Sequence, residues 1–115
     1  MRVTRLADAV AYEAPNHFDV QALRLQGFMP DGPQHFWVGL SHIAPGGGAG
    51  PDSSSLEKVY VVLAGAVTVT AGGEEMVLGP FDSCTIVAHE TREVRNCGSE
   101  PAAMLVVMPY PEVAK

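Results

Sequence analysis

The sequence predicts an all-β chain folded as a small barrel or sandwich, and three observations carry that expectation. Two β-branched runs, Val59-Tyr60-Val61-Val62 and Val67-Thr68-Val69, flank Leu63-Ala64-Gly65 without a proline between them. Val, Tyr and Thr suit a pleated surface, so the stretch reads as strand, tight turn at Ala64-Gly65, and strand. Twelve glycines and nine prolines divide the remaining chain into short apolar runs about ten residues apart. No long segment carries a helical period.

Taken in order, the N-terminal segment is ambiguous. Arg2 to Leu6 suits an edge strand and Ala7 to Ala14 a helical turn, before Pro15-Asn16-His17 breaks the chain. Asp19 to Gln26 and His35 to Ala44 alternate as strands, with a loop between them. Pro45-Gly46-Gly47-Gly48-Ala49-Gly50-Pro51 lacks any pattern and is expected to be a flexible loop, a candidate lid at a barrel mouth. Short strands are expected at Glu75 to Leu78, Ser83 to Ala88 and Ala102 to Met108, separated by turns at Gly72-Gly73, Gly79-Pro80 and Asn96-Cys97-Gly98.

Composition narrows the function classes. The 115 residues suffice for one domain (residues 1–115, core about 35–110), and a formal charge of −6 argues against nucleic-acid or anionic-membrane partners. No opening signal segment and no membrane-length apolar run is evident, so a cytoplasmic location is expected. Cys84 and Cys97 have no metal-ligand spacing, and Cys84 reads as a buried free thiol.

Pro45-Gly46-Gly47, a polar loop, and then Glu57-Lys58-Val59-Tyr60-Val61-Val62-Leu63-Ala64-Gly65 resemble the first motif of the cupins. Asp82 through Asn96 resembles the second, and the likeness covers roughly residues 38 to 108. It implies a double-stranded β-helix, the jelly-roll barrel. It also implies where a metal would be held: two histidines, a glutamate seven residues before the glycine, and a third histidine four before the asparagine. Those positions fall on Asp52, Ser54, Lys58 and Arg92. Two are cations, which repel a metal, so no metal and no cofactor is expected. A non-standard metal site from His42, His89 and Asp52, serving a metal-dependent dioxygenase, stays open as an alternative.

In the cupin register Lys58, Tyr60 and Val62 point inward and Arg92 enters from the facing strand. Two readings follow. Asp52 neutralises the cations permanently and plugs the barrel, or the anion comes from a small carboxylate-like ligand. In the second, Arg92 clamps the anion and Tyr60, Trp37 and His42 help to bind it. Lys58 and Asp52 are the candidate catalytic pair, with Lys58 as base or Schiff-base former. The functions so implied are a metal-independent isomerase, lyase or decarboxylase, or a ligand-binding or sensory module without turnover. Finally, Val59, Val61 and Leu63 form an apolar outer face, so a homodimer is expected, with Val3 to Leu6 reaching the partner's sheet edge.

Overall fold

The computed structural model describes residues 1–111. Nine strands follow one short 3-10 turn, Leu6–Asp8: β1 (Val10–Tyr12), β2 (His17–Gln26), β3 (Phe36–Asp52), β4 (Lys58–Ala64), β5 (Val67–Ala71), β6 (Glu74–Leu78), β7 (Ser83–Ile86), β8 (Arg92–Arg95) and β9 (Ala102–Pro109). All pairings are antiparallel, and the main path runs β6-β5-β8-β3-β9-β4-β7, with β1 and β2 added beside β3. This is the jelly-roll barrel that the sequence predicts. The N-terminal expectation is corrected: the helical turn is three residues long, and the strand is β1 rather than Arg2 to Leu6.

The loop expected at Pro45 to Pro51 is strand. β3 runs unbroken through it for 17 residues. Its first half pairs with β9 and β2, and its second half with β8 and the start of β2. Gly48 and Ala49 lie opposite Arg95 and Val94 on one side and Phe18 and His17 on the other. A β-carbon on Gly48 would run into the Val94 carbonyl, so the small residues let three strands close in rather than making a lid.

A second correction concerns Gly65. β4 and β5 do not pair with each other; β4 lies between β7 and β9, and β5 between β6 and β8. The Ala64-Gly65 turn therefore carries the chain from one side of the strand path to the other. Gly65 has φ +72°, and a β-carbon there would approach the Pro101 carbonyl oxygen to 2.7 Å, which explains a glycine at that crossing. The Gly72-Gly73 turn does close a hairpin, between β5 and β6.

Inside the barrel pack Ile43, Val62, Val67, Val94, Ile86 and Met104, all buried. Asn96, buried with them, holds a turn as expected. Its Nδ2 donates to the carbonyls of Ile43 (2.9 Å) and Glu100 (2.8 Å), and its Oδ1 accepts from the Gly98 amide (3.0 Å). No helix among the described residues is long and apolar enough to cross a membrane.

Candidate functional site

A cavity of about 400 Å³ occupies the barrel beside this core. Strand alternation decides what lines it. Along β4 the burial pattern puts Lys58, Tyr60 and Val62 inside and leaves Val59, Val61 and Leu63 on the outer face. Lys58 is only 7% exposed and Tyr60 3%. On β3, Trp37, Ser41 and Ile43 face the cavity, and at its end Asp52 lies opposite Arg92 of β8. Ser54 joins them from the following loop. Asp52, Ser54, Lys58 and Arg92 thus line one cavity, as the register implied.

The two cations have no carboxylate of their own. Among the described residues the ion pairs are Arg2 with Asp31 and Arg95 with Glu93; neither Lys58 nor Arg92 forms one. Asp52 instead accepts from the Ser53 amide at 2.8 Å, so the plugged barrel is not formed. Lys58 Nζ makes a long hydrogen bond of 3.4 Å to Ser54 Oγ. Arg92 Nε donates to the Tyr60 hydroxyl at 2.7 Å, while its NH1 is buried without a partner. A buried donor left unmatched is costly, and a ligand oxygen would satisfy it.

Burial, then the Arg92 charge, pushes the Lys58 pKa down, with Asp52 opposing. Burial raises the Tyr60 phenol, against the pull of Arg92, so the hydroxyl stays protonated and available as a donor.

Two cavity residues escaped the sequence reading. His17 of β2 places Nδ1 2.8 Å from the Pro15 carbonyl oxygen. A carbonyl only accepts, so Nδ1 carries the proton and, in the neutral ring, Nε2 keeps a free lone pair. Burial lowers the His17 pKa, and Arg92 and Lys58 push the same way against the Pro15 bond and Asp52. Arg24, also of β2, lines the cavity between aromatic rings. The signal at His17 was hidden because Pro15-Asn16 reads as a chain break, although Asn16 has φ +57° and the strand begins at once after it.

His42 is corrected. It falls between Ser41 and Ile43, which face the cavity, so its own side chain is on the opposite, exposed face. His89 sits on an exposed turn after β7. No group of three or more His, Cys, Asp or Glu among the described residues is arranged to hold a metal ion, so His42, His89 and Asp52 do not come together. Nor do the family's metal positions fit a divalent ion, because they offer one carboxylate and one hydroxyl against two cations.

The chain matches the Cupin domain family over residues 39–108 and belongs to it. Among curated proteins it is 42% identical over 111 residues to Beta-D-galactosidase Rv1717 of Mycobacterium tuberculosis, spanning 96% of each chain. Among solved structures, the polyketide cyclase RemF from Streptomyces resistomycificus superposes with a TM-score of 0.83 at 22% identity, covering 95% of this chain and 79% of that one. A predicted oxalate decarboxylase from Thermotoga maritima gives 0.78 at 18% identity, covering 96% and 100%. At such identities these structures share the fold alone.

The lowered His17 pKa has a consequence for stability. Its folded value lies below the unfolded value of 6.5, so the unfolded chain takes up the proton first as pH falls. The stability that neutral His17 contributes is complete above pH 6.5 and is lost progressively as pH drops toward the folded value. Urea midpoints of the native protein should therefore fall more steeply below that pH than those of His17→Asn, whose amide can still donate to Pro15. Parallel curves would show that His17 titrates as freely in the fold as out of it.

Proposed function

We propose that this cupin is a small-molecule enzyme without a resident metal, whose cavity binds a carboxylate or oxo-acid group through Arg92 and Lys58. The observation that carries the reading is that, among the described residues, the buried NH1 of Arg92 has no partner and the lysine beside it has no carboxylate. Arg92 presents a planar fork to the anion, with Nε already engaged on Tyr60, and Lys58 adds a second positive charge. The Tyr60 O–H donates to a further ligand oxygen. His17, neutral with Nε2 free, accepts a proton from the substrate, as an isomerase or lyase of oxo-acids requires. Lys58, with its lowered pKa, is the second proton carrier.

Arg92→Ala should weaken a carboxylate probe by the 1.5–3 kcal/mol typical of a charge-assisted hydrogen bond, about tenfold to a hundredfold in Kd, with little change in the unliganded melting temperature. A thermal-shift screen of small carboxylic acids supplies the probe, because a bound ligand raises the melting temperature with concentration. Iron, manganese, nickel or zinc near one equivalent per untagged chain would overturn the metal-free reading.

A second reading is favoured by the end-to-end likeness to Beta-D-galactosidase Rv1717: hydrolysis of a small β-D-galactoside. Glycoside hydrolysis employs two carboxylates, and Glu13 and Asp52 both line the cavity, with Trp37 as an apolar wall for a sugar face. On this reading a chromogenic β-D-galactoside is turned over, and Asp52→Asn and Glu13→Gln each reduce the rate at least a hundredfold, by loss of acid–base catalysis. Turnover that survives both substitutions would remove the reading.

Assembly belongs to the same proposal. The outer faces of β2, β3, β9 and β4 carry Leu23, Leu25, Val38, Leu105, Val107, Val59, Val61 and Leu63, with no Lys, Arg, Asp or Glu at those alternating positions. In a chain of net charge −6, an uncharged apolar face lets a second copy approach without like-charge repulsion, as a two-fold dimer needs. Sedimentation should give a dimer at micromolar concentration, and Leu105→Lys a monomer; a native monomer at high micromolar concentration would refute it.

A further inference from the structure

The anion reading uses one side of the cavity, yet a third permanent cation lines the other. Arg24 of β2 stacks its guanidinium over Phe28 (4.1 Å to the ring centroid) and Tyr12 (4.9 Å), and its Nε is buried without a hydrogen-bond partner. It forms no ion pair among the described residues. The rings hold the guanidinium in place but satisfy none of its N–H groups by the usual acceptors.

Register fixes how far it stands from the first pair. Arg24 lies opposite Gly39, Gly39 opposite Val106, and Val106 opposite Tyr60, a single row across β2, β3, β9 and β4. Three strand spacings separate the Cα atoms of Arg24 and Tyr60 by about 14 Å. Long side chains reaching in from both ends leave room for a short chain of carbons between two cationic groups. Between them lie Gly39, with the Trp37 ring and the Tyr12 hydroxyl standing over it, and Val106, none of which offers a charge. Among the described residues Arg24, Lys58 and Arg92 thus outnumber the cavity's carboxylates, Asp52 and Glu13, in a chain that is acidic as a whole. A cavity of that sign concentrates anions.

We propose that Arg24 is a second anion subsite and that the ligand class of this cavity is a compact molecule acidic at both ends, such as a short dicarboxylate. The inference rests on the anion reading of Arg92 and Lys58 and adds the far end of the ligand to it. Arg24 takes one carboxylate against its aromatic cradle while Arg92 and Lys58 take the other. The uncharged stretch between them sets the permitted spacing between the two charges.

Calorimetric titration with succinate, glutarate and adipate, each against the monocarboxylate of equal chain length, tests the proposal. At least one diacid should bind roughly tenfold to a hundredfold more tightly than its monoacid, the contribution of one charge-assisted contact. Arg24→Met should erase that preference and leave monoacid affinity unchanged, Arg24→Lys should retain part of it, and Arg92→Ala should weaken both acids. Melting curves of each variant identify any that fail to fold, and Arg24→Lys keeps the charge test available if Arg24→Met is one of them. Monoacids that bind as tightly as every diacid would overturn the subsite while sparing the Arg92 reading. A preference that persists in Arg24→Met would reduce Arg24 to a cation held by rings for stability. No binding by any acid would remove the anion reading and the subsite with it.

Discussion

Alternation along β4 is the constraint on which the rest of the barrel depends. Successive side chains of a strand point to opposite faces, so one register places Lys58 and Tyr60 in the interior and Val59 and Val61 on the outside. A slip of one residue would bury the valines in the cavity and put a lysine on the apolar outer face. Val62, fully buried two residues beyond Tyr60, resists that slip because its methyl groups have no equivalent home outside. The fold thereby keeps an ammonium group below the surface, a position that burial alone would disfavour.

The interior tolerates that charge through polar neighbours rather than through a counter-charge. Ser54 faces Lys58, Tyr60 accepts from Arg92, and Asp52 stays at the exposed margin engaged with the backbone. Removing a lysine from water depresses its pKa, and the nearby guanidinium deepens the effect. Burial above all, and then the same two cations, lower the His17 pKa and favour its neutral form.

Much of this was legible before the structure, and the failures share a cause. β-Branched runs marked β4, β5 and β9, and counts back from Gly65 and from Asn96 placed Lys58, Asp52 and Arg92 around one cavity. Pro45 to Pro51 was misread because a strand of glycines displays no alternation; its pairing is dictated by neighbours distant in sequence. The tight turn at Gly65 suggests a hairpin for a related reason, since a turn between paired strands and a turn between unpaired ones use the same residues. His42 was misplaced by one step of the pleat. Arg24 and His17 lie on β2, outside the motifs, where only the folded barrel turns them toward the cavity.

The double membership of β3 bears on how the chain is made. Trp37 pairs with Met108, and Gly48 with Arg95, so both halves of β3 wait for partners near the C-terminus. During synthesis β1, β2 and β3 emerge first and can pair only among themselves, while β8 and β9 are still inside the ribosome. Such distant closure slows folding, and until it happens the apolar inner sides of Val20, Ala22 and Ile43 stay open to neighbouring chains. The glycines of that strand carry no side chains to fix a register in the interval, so the segment that packs closest in the finished barrel is the one whose pairing is least specified in the nascent chain.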